Sequence, residues 1–374
     1  MPALLPATED HPHARAVLDA AVPPAGNPSH AYLFHGPAGA GKRDAARQFA
    51  AALLADGAQD AANAARRAIE GVHPDLTWVV PSGANVLVKA DIDEAVVAAS
   101  THTPFESRRR VFVIEGAHTM NDAAANRMLK TLEEPPSFAH LILLTDRIGE
   151  VLPTIRSRCQ AVRFEAPTVQ KLADRLASRV PPDQAEACAR LALGDGERAL
   201  MLALGEGPAL RAGAERLARA CIAQDLAGRP WTALLERAGA HGEGALKAVE
   251  DRLAADLPFL PVKEQARAKR EATDTGKRAQ RRARIQALDQ ALGLVGLWLR
   301  DVAVTVDGAP ELVHHSDRAD AVAQDAAGFA NAHGLRAGVD LVDETRFALR
   351  EVNATEDLAV EALAFRLERA VATR

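Results

Sequence analysis

The sequence predicts a mostly parallel α/β domain followed by an all-helical remainder, and three observations carry that reading. Up to about residue 166, short apolar runs of strand length alternate with helix-like segments. Beyond Pro167 the strand signals fade, and apolar residues recur at helical spacing, as in Leu210 to Leu226 and Ala354 to Ala370. A chain of 374 residues with 48% hydrophobic content also exceeds what one core commonly serves.

In chain order, His30 to Phe34 reads as a strand that runs into Gly36-Pro37-Ala38-Gly39-Ala40-Gly41-Lys42, and an Ala-rich helix follows through Leu54. Further strands are expected at Leu76 to Val80, Val111 to Ile114 and His140 to Thr145. Helices are expected between them at Ile92 to Ser100 and Ala123 to Glu134. Short amphipathic helices broken by Pro181-Pro182 and Gly194-Asp195-Gly196 predict a small second domain ending near Gly228. From Trp231 onward the pattern stays helical, with an interruption over Val262 to Arg284 where Lys and Arg crowd together. The resulting organisation is an α/β domain over 1–166, a helical domain over 167–229, and a second helical domain over 230–374 carrying a basic insertion near 262–286. No internal repeat of solenoid type is visible.

The bulk numbers exclude several classes. A net charge of -5 does not describe a surface that binds polyanions throughout, so any nucleic-acid contact must be local. Cys159, Cys188 and Cys221 are odd in number, far apart, and lack metal-site spacing, which predicts reduced thiols and no metal centre. The opening MPALLPATEDHPH has no basic start or apolar stretch, and no run of about 18 apolar residues occurs, so a cytoplasmic protein without a membrane span is expected.

Gly36, Gly39, Gly41 and Lys42 supply the parts of a phosphate loop. Backbone N–H groups and a helix N-terminus cradle phosphates there, and the Lys neutralises the outer ones. The following position calls for a hydroxyl to ligate magnesium, and here it is Arg43, which cannot coordinate a cation and adds positive charge at that point. A later strand in such folds ends in acids that organise the metal and prepare a water. Val111 to Ile114 is followed by Glu115 and Gly116, so Glu115 alone can contribute and Gly116 has no side chain to position a nucleophile. Taken without relatives, Glu115 reads equally as a solvated residue at a strand end.

The stretch Met120 to Pro136, containing Leu129-Lys130-Thr131-Leu132-Glu133-Glu134-Pro135-Pro136, resembles a hallmark segment of bacterial clamp-loader subunits. Physically it is an amphipathic helix with Met128, Leu129 and Leu132 in one stripe, stopped by two prolines. Leu152 to Cys159, ending Ser157-Arg158-Cys159, resembles the same family's Ser-Arg-Cys motif. Together they identify the chain as similar to delta-prime-type clamp-loader subunits of DNA polymerase III, within the AAA+ family.

That resemblance implies an AAA+ α/β domain, a helical lid and a helical oligomerisation collar. It implies that Arg158 is a finger reaching a neighbouring subunit's ATP, that Thr145 is a polar sensor at a strand end, and that Arg198 in Gly196-Glu197-Arg198-Ala199 is a second sensor. Read without the family, Arg158 is a surface ion-pair residue. Many relatives carry a four-cysteine zinc module before a His-Pro-Asp such as His73-Pro74-Asp75; residues 57–71 hold no cysteine, so no zinc is expected. Trp298 to Val302 and Asn353 to Leu367 resemble the collar.

The implied partners are delta and gamma/tau-type subunits and, through them, the sliding clamp and primer-template DNA. No cofactor is required, although ATP or ADP binding at the degenerate loop stays open. Two other functions compete: a hydrolysing gamma/tau-type motor that tolerates Arg43 and Gly116, and a P-loop kinase or transferase, which leaves the helical half unexplained. The basic segment Lys269-Arg270, Lys277-Arg278 and Arg281 to Arg284, with Glu264, Glu271 and Asp274 interspersed, fits a solvated helix face as well as phosphate contacts. It holds no aromatic residue for base stacking.

Overall fold

Strand residues send alternate side chains to opposite faces, and here both faces are covered. In β1 (Ala31–His35), Tyr32 and Phe34 join one apolar cluster, while Ala31 and Leu33 join another. β2 (Leu76–Val79), β3 (Arg110–Ile114), β4 (Ala139–Thr145) and β5 (Gln160–Arg163) complete a five-stranded, all-parallel sheet in the order β2-β3-β4-β1-β5. Every residue of β3 and β4 is buried, as expected of central strands in a covered parallel sheet. The computed structural model describes residues 5–81, 87, 89–98, 102–259, 261–352 and 354–372.

On the first face, α1 (Pro12–Asp19), α2 (Lys42–Ala55) and α3 (Ala61–Glu70) supply the partners, with Phe49 of α2 edge-on to Tyr32. α3 fills most of the segment between residues 57 and 71; Asp60 caps it by accepting from the Asn63 N–H. On the second face, α4 (Lys89–Ile92), its π-helical continuation Asp93–Ala98, and α5 (Asp122–Glu133) pack Ile92, Val96 and Met128 against Phe112 and Leu143. The last two residues of the expected Ile92 to Ser100 helix lie outside the described residues. α5 begins where the Asn121 side chain accepts from the Ala124 N–H. After β4, the short α6 (Pro153–Arg156) leads into β5.

The sequence reading missed β5, and the reason is physical. It is an edge strand with Val162 as its one buried residue, so it shows almost no apolar run.

Two units emerge: residues 1–168 with 194–196, and residues 169–193 with 197–374. The second contains α7 (Val169–Leu176), α8 (Pro182–Leu191), most of α9 (Gly196–Ala203), α10 (Gly207–Ala223), α11 (Thr232–Asp256), α12 (Val262–Val306), α13 (Ala319–Ala326), α14 (His333–Phe347) and α15 (Glu356–Val371). Residues on both sides of position 229 share one apolar core, from Leu172 to Val371. Trp298 is fully buried in it and donates its indole N–H to Asp325 at 3.0 Å. Nearby Asp301, also fully buried, accepts from the backbone N–H groups of His314 and His315, each at 2.9 Å. Burial alone would raise its pKa, but hydrogen bonds from both histidines outweigh that and hold the carboxyl well below its usual range.

The interruption read at Val262 to Arg284 is not one. Those residues form the first half of α12, a continuous helix of 45 residues. Within it, Gly276 is buried where a Cβ would meet Leu246 of α11 at 2.6 Å. A glycine there permits close helix approach rather than ending the helix. No described helix is long and apolar enough to cross a membrane.

Candidate functional site

β1 delivers the chain to Gly36, whose backbone runs so close to β5 that a Cβ would collide with the Phe164 carbonyl oxygen. Only glycine fits that approach. The loop continues through Gly39 and Gly41 to Lys42, the first residue of α2. Asp195 lies against Gly39, and the Gly196 N–H donates to the Gly39 carbonyl at 3.3 Å.

Lys42 is 6% exposed and folds back over its own loop. Its ammonium donates to the carbonyls of Gly36 at 2.7 Å and Pro37 at 2.6 Å, and pairs with Asp146 at 2.6 Å. Three donors thus meet three oxygens, one of them anionic. Asp146, which the sequence reading did not single out, follows Thr145 at the end of β4. An acid directly after an expected sensor is the signal that could have found it.

Arg43 projects from the first turn of α2 and grips Glu115 through Nε at 2.9 Å and Nη2 at 2.6 Å. The other carboxylate oxygen of Glu115 accepts from the Trp78 indole at 2.7 Å. Both oxygens that would serve a cation are therefore taken, one by a permanent positive charge. Gly116 has φ +67°, where a carboxylate side chain would add backbone strain, and the Thr119 hydroxyl donates to its carbonyl at 2.8 Å.

Thr145 is 1% exposed. Its hydroxyl accepts from the Arg147 N–H at 3.1 Å and lies 3.0 Å from His118 Nδ1. Burial and the neighbouring Arg147 push His118 below its ordinary value, favouring a neutral ring that can accept the Thr145 proton. Lys42, Arg43, Glu115 and Thr145 thus lie in one unit, around the loop and the ends of β3 and β4, with Arg43 bonded to Glu115 and Lys42 to Asp146 beside Thr145. Arg198 belongs to the helical unit, where it lines a cavity of about 230 Å³ with Gly293, Asp343 and Arg346.

Arg158 makes none of those loop contacts. It follows α6, its Nη2 pairs with Glu133 at 2.6 Å, and its Nη1 donates to the Thr154 carbonyl at 3.0 Å. About a third of the side chain remains exposed. Adjacent Cys159 points the other way, onto the core that holds α5, and burial pushes its thiol up to about 12. The Ser-Arg-Cys turn therefore presents a guanidinium outward and anchors itself inward with an unreactive sulfur.

Known proteins similar to this chain match it chiefly over the first unit. A family model described as DNA polymerase III, delta subunit, matches residues 16–168. The DNA polymerase III subunit delta' of Pseudomonas aeruginosa is 36% identical over 168 residues, covering 44% of this chain and 51% of that protein. That of Bacillus subtilis is 37% identical, covering 44% and 50%. The gamma/tau subunit of Mycobacterium tuberculosis is 35% identical over 163 residues, covering 41% of this chain and 27% of its own. The chain thus spans about half the length of the delta' relatives it matches. Among solved structures, a gamma subunit-related protein of Thermotoga maritima aligns over 96% of this chain and 99% of its own at 17% identity, with a TM-score of 0.44. The segment similar to the DNA polymerase III delta subunit model, residues 16–168, holds the loop around Lys42, the Glu115 strand end and the Ser157-Arg158-Cys159 turn.

Proposed function

We propose that the chain works as a delta-prime-type clamp-loader subunit, one that assembles with delta and gamma/tau-type subunits and presents Arg158 to a neighbour's ATP. Through that assembly it helps place a sliding clamp on primer-template DNA in the cytoplasm. The observation that carries this reading is the Arg43–Glu115 pair. In this reading the guanidinium stands where a catalytic metal would bind, while Arg158 remains exposed at a separate corner.

The chain's own residues oppose turnover here. A triphosphate entering the loop must draw Lys42 away from Asp146, and magnesium must displace Arg43 from Glu115. Even then, Gly116 offers nothing to orient a water. The chain accordingly needs no cofactor, and its structural role survives without nucleotide. In a neighbour's site, Arg158 would supply charge-assisted hydrogen bonds to the oxygens on which charge develops, the effect known for arginine fingers.

The hydrolysing motor reading predicts sustained ATP turnover by the purified chain, abolished in Lys42→Ala. Absence of turnover by the chain alone, together with formation of a stable complex with delta and gamma/tau-type subunits, supports the proposal. Turnover by the chain alone, or failure to enter such a complex, sinks it.

A further inference from the structure

The first half of α12 carries a concentration of charge that the proposed assembly role does not use. Over residues 262–284 the sequence has nine Lys or Arg against three Asp or Glu, in a chain whose net charge is -5. The rest of the chain is correspondingly more acidic. This segment is a basic exception in a chain whose charges are otherwise mixed.

The helical period sorts those cations. At about 100° per residue, Lys263, Arg267, Arg270, Lys277, Arg278 and Arg281 fall within an arc of about 100°. They span about 27 Å along the axis at 1.5 Å per residue. Asp274 is the one acid inside the arc; the period places Glu264 and Glu271 at its flank. The first five cations are exposed and Arg281 is half-buried. Among the described residues, Lys263, Arg270, Lys277, Arg278 and Arg281 form no ion pair.

The opposite face is committed to α11. Gly276 sits against Leu246 and Val249, and Gly242 of α11 sits against Gln280 and Arg284 of α12. Close approach at these two glycines fixes the rotation of α12, so the basic stripe faces away from its partner helix. α11 carries both signs, with Glu236, Glu243, Lys247, Glu250, Asp251 and Arg252 exposed along it. A helix that merely needed solvation would gain more from interleaved opposite charges than from one-signed rows.

We infer that this outward face of α12 is a binding surface for the phosphate backbone of double-stranded DNA. A rigid row of cations of this length matches a linear polyanion, because each Lys or Arg near a phosphate releases condensed counterions. The absence of any aromatic side chain over residues 262–285 means no base is stacked, so binding is independent of sequence. The inference does not rest on the clamp-loader assignment and can fail separately from it.

The test uses the full chain and a fluorescein-labelled duplex, with anisotropy titrations between about 50 and 200 mM salt. The wild type should bind with log Kd rising steeply against log salt, at a slope of about 4 to 5 for five contacted phosphates at 0.9 each. The quadruple variant Lys263→Ala, Arg270→Ala, Lys277→Ala, Arg278→Ala should lower that slope by about 3 to 4 and weaken binding at least tenfold at low salt. Alanine preserves helix propensity, and circular dichroism with an unchanged melting temperature would show that the helix persists. A duplex of shuffled sequence should bind equally. The inference is overturned if the wild type ignores duplex at low salt, or if the quadruple variant keeps both affinity and slope. It is also overturned if polyglutamate outcompetes duplex at equal charge concentration, which would identify an acidic protein partner instead.

Discussion

The two polar corners of the α/β unit use the same chemistry in opposite ways. Around the phosphate loop, each charged group is consumed by a neighbour: Lys42 by Asp146 and two carbonyls, Arg43 by Glu115, and Glu115 also by Trp78. At the Ser-Arg-Cys turn, Arg158 is held by Glu133 and Thr154 yet keeps donors and exposed surface to spare. A guanidinium has five N–H donors, and two holds leave the fork able to engage an anion. The comparison teaches that retention of a motif's backbone and retention of its chemistry are separable. The loop keeps its shape because Gly36 and the helix start belong to the sheet's packing, whereas Arg43 and Gly116 stand where hydrolysis would call for a hydroxyl and an acid.

The largest effect is expected at the exposed corner. In a complex reconstituted with delta and gamma/tau-type subunits, Arg158→Ala should leave assembly intact and lower the neighbour's ATP turnover by about 10³ or more, the scale of arginine-finger losses. Unchanged turnover in a fully assembled complex would collapse the contrast between the two corners.

Both corners ride on one sheet, so scaffold failure must be separated from site failure. His140 in β4 offers a handle, since burial lowers it to about 4 while its Nδ1 lies 2.9 Å from the Ser29 carbonyl. In the unfolded chain the same ring titrates near its usual value of about 6.5. Below that pH the unfolded state takes up a proton that the folded state refuses. Stability is therefore lost as pH falls from about 6.5 towards about 4, by up to about 3 kcal/mol. Urea unfolding of wild type and His140→Gln across that range should show a shallower decline in the variant. Parallel curves would remove His140 as the cause.

The closed corner can be opened. Replacing the guanidinium with a hydroxyl, in Arg43→Ser, frees Glu115 and restores a magnesium ligand. ATP affinity measured with and without magnesium should then become metal-dependent and tighten about tenfold, roughly the 1.4 kcal/mol of one recovered ligand. Turnover should stay absent because Gly116 is unchanged. Tight magnesium-dependent binding already present in the wild type would contradict the closed description.

Much of this is legible in the amino-acid sequence alone. Runs such as Val111 to Ile114 and Leu141 to Leu144 announce central strands because burial on both faces demands unbroken apolar residues. Arg43 stands out in the sequence because a guanidinium cannot do what the hydroxyl of such loops does, which is to ligate magnesium. What stayed hidden depends on partners distant in sequence. Asp146 and Glu133 are ordinary acids until the fold brings them to Lys42 and Arg158. β5 lacks an apolar run because it lies at an edge, and α12 reads as interrupted because its first half carries crowded Lys and Arg in place of a wide apolar stripe.

The smallest expected effect concerns Glu133, and it asks whether the exposed corner is positioned or merely exposed. The carboxylate and the Thr154 carbonyl hold the Arg158 fork from two sides, so less rotamer freedom remains to be lost when a phosphate arrives. An exposed pair of this kind is worth up to about 1 kcal/mol, a factor of about five in rate. Glu133→Ala should lower turnover in the reconstituted complex by about that factor with the KM for ATP unchanged, and Glu133→Gln, which keeps an acceptor, should recover most of it. Faster turnover in Glu133→Ala would mean instead that the carboxylate competes with the phosphate for Arg158, turning this corner into a second closed one.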